Sequence, residues 1–317
     1  MKTSLTALAL ALTATAAFAE YPDKPVEVVV GYSAGGGTDV MARTVAQFLE
    51  QELGDGASVV VKNMPGAGGQ IGFTEVSEAA PDGYTVMWNS TSLLTITNMG
   101  NVPFHYDALD HIGRVEYQPL VFAVSTRSPW SDLETFAADC AASGDAIRIA
   151  NSGTGSGTHL GALSMMNAVG CEAVHLPIGT RRRNATVLSG EADAMVAPLT
   201  GALNLVRANR LRLLATLSVE RNEVIPEVPT AAELGFNVRF ELFRGLSVPK
   251  NTPPEIKRQL ADTMSQAAMS EAFMGLADEV GFTVDPMPTE RFEALMATED
   301  ATVKSILQTA GLAPNAD

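Results

Sequence analysis

The residues in this chain best suited to chemistry are small, polar and glycine-rich, and they stand where strands hand over to helices. The first group occupies 28–40 and reads Val-Val-Val-Gly-Tyr-Ser-Ala-Gly-Gly-Gly-Thr-Asp-Val. Three valines predict a buried strand. Gly35, Gly36 and Gly37 predict a loop where backbone approaches a neighbour, and Thr38 and Asp39 predict the start of a helix. A strand that feeds a glycine loop into a helix N-terminus makes an anion site, because the free N–H groups of the first turn and the helix dipole both point at the loop. A carboxylate or phosphate is held there without any basic side chain.

The same loop supports a second chemistry. Gly31-Tyr32-Ser33-Ala34-Gly35 fits Gly-x-Ser-x-Gly between a strand and a helix, the context of a nucleophile elbow. A nucleophilic Ser33 needs a base, and His105, His111, His159 and His175 all follow it in the chain. The match is short, sits on the first strand after the leader and runs on into two more glycines. An exported serine hydrolase using Ser33 is therefore the weaker reading, and the chain is not expected to be an enzyme.

Three further junctions carry similar residues. Asn89-Ser90-Thr91-Ser92 is a small polar loop before a helix. Asn151-Ser152-Gly153-Thr154-Gly155-Ser156-Gly157-Thr158-His159 is the richest polar loop in the chain. Pro177-Ile178-Gly179-Thr180 leads into Arg181-Arg182-Arg183. Guanidinium forks match carboxylates, but neighbours on a helix point in different directions, so at most one of the three arginines is expected to reach a site. The glycines of 66–72 lack the Gly-x-Gly-x-x-Gly spacing of a dinucleotide loop and read equally well as a tight turn that packs helix on sheet. No cofactor is expected. Four scattered histidines and two distant cysteines show no ligand spacing, so no metal is expected either.

The elements that position these junctions alternate short apolar runs with amphipathic segments, the pattern of βαβ units and a mainly parallel sheet. Strands are predicted over 58–62, 85–88, 120–124, 147–150, 173–176, 193–197, 211–216 and 241–248, with a strand-like piece at 282–284. Met41, Val45, Phe48 and Leu49 give the first helix its apolar stripe, which stops at Leu53-Gly54. Ser131 is the predicted N-cap of the helix that opens the second run of units, and Pro229-Thr230 the cap of a short helix. Helices over 256–270 and 289–309 are expected to pack back on the first domain. In open α/β sheets ligands sit at the strand-to-helix edge, where the polar loops collect.

Residues 1–19 read as an export signal: Lys2 supplies the positive start, 5–16 a short apolar run and Ala17-Phe18-Ala19 the cleavage site. The run is too short to span a bilayer. About 298 residues then remain, enough for two domains. The formal net charge of −15 argues against nucleic acid as a partner, since phosphate binding needs clustered Lys and Arg. Cys140 and Cys171, an even count in an oxidising compartment, are expected to form a disulfide, the alternative being two buried thiols.

From residue 21 onward the chain resembles the extracytoplasmic solute-binding receptors of the tripartite tricarboxylate transporter family, the Bug-type receptors. The resemblance is carried by Tyr21-Pro22 with Pro25, by 32–39, by Asn63 with Pro65-Gly66-Ala67-Gly68-Gly69, and by Ala80-Pro81-Asp82-Gly83-Tyr84-Thr85. It continues through Ser152-Gly153 to His159-Leu160, Pro226 with Pro229-Thr230, Glu233-Leu234-Gly235, and Gly245 to Pro253. It implies an α/β fold, a two-lobed Venus-flytrap of the periplasmic binding protein type II class, in the periplasm. The lobes implied are 20–122 plus 246–317, and 123–245. The implied ligand is a small organic carboxylate, the implied partners the membrane permease subunits of the transporter, and the implied state a monomer. A receptor that informs a sensor kinase without a transport role is the alternative.

Carried over by position, the ligand-binding residues implied are Tyr32, Ser33, Ala34, Gly35, Gly36, Gly37, Thr38, Asp39, Asn89, Ser90 and Thr91 on one lobe. Facing them are Asn151, Ser152, Gly153, Thr154, Thr158, His159, Pro177, Ile178 and Gly179. A side chain placed at Gly36 is expected to occupy the carboxylate's position, and Ser33 is read as a hydrogen-bond donor. The sequence departs from its relatives at Gly31, where many have proline, at Ile178, where an aromatic is usual, and at Ala197, where many keep an aspartate. Phe243-Arg244-Gly245 is similar to the Trp-Arg-Gly of some relatives.

Overall fold

The computed structural model describes residues 21–54, 56–144 and 146–314; the expected leader and its cleavage site lie outside them. The chain begins with β1 (Val26–Val30), α1 (Gly37–Glu52), β2 (Val59–Asn63), α2 (Gln70–Glu78), β3 (Thr85–Ser90) and α3 (Thr91–Asn98). β1 pairs in parallel with both β2 and β3. Its valines are buried on both faces, which is why the run is continuous rather than alternating. Val26, Val28 and Val30 meet Met41, Val45 and Leu49 of α1, while Val29 meets Phe73 and Val76 of α2. Full burial of each such side chain contributes about 1.5–3 kcal/mol.

β4 (Leu109–Ser125) then crosses to a second set of units: α4 (Leu133–Ser143), β5 (Ile147–Asn151), α5 (Gly157–Val169), β6 (Ala173–Pro177), α6 (Thr180–Ser189), β7 (Ala194–Pro198), α7 (Leu199–Arg207) and β8 (Leu211–Thr216). β9 (Glu241–Pro249) brings the chain back. The tail is α8 (Pro254–Ala268), α9 (Glu271–Val280), β10 (Thr283–Pro288) and α10 (Thr289–Thr309). α8 packs on α1 and α10 on α3, so the tail returns to the first unit as expected.

The long β4 joins two sheets. Through Pro119 it pairs antiparallel with β9, and from Leu120 it pairs with β7 and β8. Pro119, with no N–H to donate, stands where the partner changes. From there Leu120, Phe122 and Val124 enter one core layer and Val121 and Ala123 the other, the period of two that a strand covered on both faces requires. β4 and β9 are thus the two strands on which the lobes are hung, and a Cβ at Gly245 of β9 would collide with the Gly113 carbonyl of β4.

Three local expectations need correction. Asp132, not Ser131, caps α4: its carboxylate accepts from the Thr135 amide (2.7 Å) and Thr135 Oγ1 accepts from the Asp132 amide, while the Ser131 hydroxyl bonds Asp132. A carboxylate one residue closer to the helix wins the cap. Thr230 and Glu233 form the reciprocal bonds of a capping box, yet close only a turn, because Thr230 is also drawn into a parallel bridge with Thr216. Finally, β3 continues through Ser90 and α3 starts at Thr91, so 89–92 is not a loop. The disulfide between Cys140 and Cys171 is present, with Cα atoms 5.9 Å apart.

Candidate functional site

The cleft between the lobes collects helix N-termini. From the first lobe come the start of α1, with Gly37 and Thr38, and Ser92 at the start of α3. From the second come Ser156, Gly157 and Thr158 at α5, Thr180 at α6, and Thr200 and Gly201 at α7. Five helices therefore aim their first turns and positive dipole ends at one place. Tyr32, Ser152, Arg183, Pro198, Leu242 and Arg244 complete the wall. The cavity they enclose has about 30 Å³ of free volume, about one water. A small organic molecule needs more, so the lobes must part to admit one.

Lobe meets lobe directly across this cavity. The Gly157 amide donates to Ser92 Oγ (3.2 Å), and Thr200 Oγ1 donates to Gln118 Oε1 (3.1 Å). A Cβ at Gly37 would lie 2.9 Å from Thr200 Oγ1, and one at Gly68 would lie 2.8 Å from the Thr154 carbonyl oxygen. Larger cavities lie elsewhere, about 710 Å³ between α5 and α10 and about 1000 Å³ beside α8 and β10. Neither is lined by a buried cation.

Of the positions expected from the sequence, Tyr32, Gly37, Thr38, Ser152 and Thr158 line the cavity. Tyr32 points inward, its hydroxyl 3.0 Å from the Gly68 carbonyl and sharing a 2.6 Å hydrogen bond with Ser92 Oγ. Ser33, Ala34 and Gly35 are exposed at the outer turn of the loop. Ser33 has no hydrogen-bonded base. Among the described residues, His105 reaches Asp107, His111 reaches Ser247, His159 accepts from the Gly155 amide, and His175 lies edge-on to His159 with ring centroids 5.0 Å apart. Gly36 caps α1 and faces Thr180, where a Cβ would make ordinary contact at 3.6 Å.

Several side chains expected at the ligand instead hold the loops that form the cleft. Asn89 lies in β3 and donates to Ser247 Oγ (2.8 Å) inside the sheet. Ser90 caps α3, and Thr91 Oγ1 accepts from the Phe243 amide (3.2 Å), tying α3 to β9. Asn151 accepts from the Gly153 amide (3.0 Å). Thr154 and Pro177 are exposed, Ile178 packs toward the second lobe's core, and Gly179 caps α6 at φ +82°. The His159 ring is buried, which pulls its pKa down to about 4 and keeps it neutral as an acceptor. A polar residue at a strand end faces the cleft or the sheet according to strand register and helix rotation, and composition alone does not fix either.

Asp39 shows the supporting role most clearly. It is buried, and its carboxylate accepts from the Gly35 amide (2.8 Å), from Asn63 Nδ2 (2.8 Å) and from Arg43. Burial pushes its pKa up, but the bonds from Arg43, Gly35 and Asn63 outweigh that and leave it below the ordinary value. Its contribution is therefore complete above the unfolded pKa of about 3.9 and is lost as pH falls through the folded value. Asp39→Ala is expected to cost about 1–3 kcal/mol at neutral pH. The gap between variant and parent, measured by denaturant unfolding, is expected to shrink in acid.

The backbone explains the other glycines. A Cβ at Gly31 would sit 2.9 Å from Gly69 Cα, so the first and second glycine loops touch main chain to main chain. The second loop braces the first and meets the opposite lobe through Gly68.

Two arginines stand out. Arg183 of α6 is 1% exposed and donates to Ser152 Oγ (2.7 Å). Arg244 of β9 is 3% exposed and donates to the Phe243 carbonyl (2.9 Å) and Thr38 Oγ1 (3.3 Å). In each the Nε has no partner. Burial lowers the pKa of both, that of Arg183 to about 10, which leaves it charged at neutral pH. Of the arginine run, Arg183 reaches the cavity and Arg182 is exposed. The cavity residues not singled out from sequence are Pro198, Thr200, Gly201 and Leu242. Pro198-Leu199-Thr200-Gly201 has the same small, polar strand-to-helix composition as the loops that were.

The model of the tripartite tricarboxylate transporter family receptor matches residues 41–312. The chain belongs to this family. It is 32% identical over 264 residues to the protein BugT of Bordetella pertussis, covering 80% of each chain. The solved structure of the periplasmic binding protein BugD is 26% identical and superposes with a TM-score of 0.85, over 92% of this chain and 99% of that one. MatC of Rhodopseudomonas palustris, solved with bound malate, is 24% identical with a TM-score of 0.84, over 90% of this chain and 100% of that one. The fold is thus that of the two-lobed periplasmic binding proteins, and this family's receptors are periplasmic solute-binding proteins. Among the described residues no helix is long and apolar enough to cross a membrane, and no group of His, Cys, Asp and Glu is arranged to hold a metal ion.

Proposed function

We propose that this chain is an exported periplasmic receptor that captures a small organic carboxylate, whether mono-, di- or tricarboxylate, and delivers it to the membrane permease subunits of a tripartite tricarboxylate transporter. The leader would be removed near Ala19, and the protein would act as a monomer without cofactor or nucleic acid. The lobes are taken as 20–122 plus 246–317 and 123–245, turning on β4 and β9. The observation that carries the reading is the convergence of five helix N-termini and two buried arginines on one interlobe cleft. Such a place stabilises an anion and nothing else so well. Malate in MatC supports a carboxylate as that anion.

In this reading Tyr32, Thr38, Ser152 and Thr158 supply side chains to the ligand and the glycines supply amides. Asn89, Ser90, Thr91, Asp39, Asn151 and His159 shape the loops. Catalysis is not part of the reading, since Ser33 lies outside the cavity.

A thermal-shift screen of organic acids tests it. A ligand at about 100 times its dissociation constant adds about 2.7 kcal/mol of stability, so at least one carboxylate is expected to raise the melting temperature by several degrees. If none does, while an acyl ester is turned over and Ser33→Ala stops the turnover, the hydrolase reading replaces it.

A further inference from the structure

We propose that Arg183 and Arg244 are specificity-determining residues that select a ligand carrying two anionic groups over one carrying a single group. The proposal rests on the carboxylate-receptor reading above and narrows it.

Both guanidinium groups are buried against the same small cavity, Arg244 on β9 where that strand pairs with β3, and Arg183 on α6, which follows β6 of the other sheet. A buried cation is ordinarily paired with a carboxylate, because removing it from water uncompensated is expensive. Yet neither arginine has an ion-pair partner among the described residues, and every acceptor bonded to them is neutral: Ser152 Oγ, the Phe243 carbonyl and Thr38 Oγ1. No residue lining the cavity is acidic. Asp39, the buried carboxylate of α1, is taken by Arg43, Gly35 and Asn63.

The remaining neighbour is Glu116, the cross-strand partner of Arg244 on β4. Its side chain is wholly buried and bonded by Gln118 Nε2 (3.0 Å), and its second oxygen has no partner. Burial pushes its carboxyl up, against the pull of Arg244, Gln118 and Arg114. Among the described residues no hydrogen bond or ion pair joins it to Arg244, whose bonds go to the Phe243 carbonyl and Thr38 Oγ1.

Among the described residues that line the cavity, the fixed charge is therefore two positive side chains with no negative one. A monocarboxylate neutralises one and leaves the other buried and unpaired. A dianion neutralises both, and in doing so links β9 to α6. A ligand that also bears an ammonium group meets a like charge, so amino acids are disfavoured at the same site.

The test measures dissociation constants by titration calorimetry for three pairs of probes matched in length: succinate and butyrate, glutarate and pentanoate, adipate and hexanoate. For the parent protein the better dicarboxylate is expected to bind about 30-fold or more tightly than its monocarboxylate partner, the effect of leaving one buried charge unpaired. Arg183→Gln and Arg244→Gln are each expected to erase most of that ratio while changing monocarboxylate affinity far less. Arg183→Lys, which keeps the charge, should retain a preference for the dicarboxylate even if a buried glutamine impairs folding.

Equal affinity for the two members of every pair, or variants that weaken both members equally, overturns the proposal and leaves the receptor reading standing. Absence of binding by all six acids overturns this proposal, and the receptor reading falls with it only if the wider organic-acid screen is also blank.

Discussion

Gly37→Val is expected to fold normally and to lose ligand affinity by about one to two orders of magnitude. Gly37 opens α1 and faces Thr200 across the cleft, where a Cβ would stand 2.9 Å from the threonine hydroxyl oxygen. Valine adds two methyl groups beyond that Cβ. With the lobes parted the side chain meets solvent and costs little, so unfolding of the unliganded protein should change by less than about 1 kcal/mol. With the lobes together it is overpacked, at about 1–3 kcal/mol, and each 1.4 kcal/mol removed from the closed complex is about a factor of ten in affinity. Gly36→Val, the substitution suggested by the sequence, meets Thr180 Cγ2 at an ordinary 3.6 Å and should be milder. Trimming the opposing residue, in Gly37→Val with Thr200→Gly, is expected to restore part of the affinity. A double variant as weak as the single one would show that the clash is not the cause.

Replacing both cysteines by alanine is expected to do the opposite, lowering stability and sparing the ligand. The bridge ties Cys140 in α4 to Cys171, just past the C-terminus of α5, over a sequence separation of 31. Closing a loop of that size in the unfolded chain stabilises the folded state by about 3–4 kcal/mol in the chain-entropy model. At about 2–4 °C per kcal/mol the melting temperature should fall by roughly 6–16 °C. Only the N-terminal end of α5 reaches the cleft, so the dissociation constant for any bound carboxylate should stay within about a factor of two. A melting temperature that does not move when both cysteines are replaced would mean that the bridge contributes nothing to stability.

The contrast between these two variants follows the division between what was legible in the sequence and what was not. Valine runs followed by glycine and hydroxyl residues mark strand ends at helix starts, and local rules of capping and periodicity suffice to read them. β1, β5, β6, β7, β8, β9 and α10 form close to the bounds that their residues predict. Side-chain direction was not legible. Asn89 and Thr91 have the composition of ligand contacts, but β3 runs two residues further than its apolar part, which turns Asn89 into the sheet. The arginine run shows the converse. Helical rotation sends Arg182 to solvent and Arg183 to the cavity, and nothing in three identical neighbours says which. Arg244 and Thr200 enter the site only because β9 and α7 are brought to it by the crossing of β4 between the lobes. The β4–β9 pairing spans more than a hundred residues of chain and the β4–β7 pairing 70 or more, and neither leaves a local signal.

In the receptor reading proposed above, a carboxylate is gripped between the two lobes at this cleft. Titration calorimetry of the carboxylate that most raises the melting temperature, run in parallel on the parent protein and on Gly37→Val, addresses it directly. Saturable binding at one site is expected in the parent, and binding weakened at least about tenfold in the variant. Equal affinity in the two proteins, or no heat from any carboxylate in a parent that is folded, would contradict it.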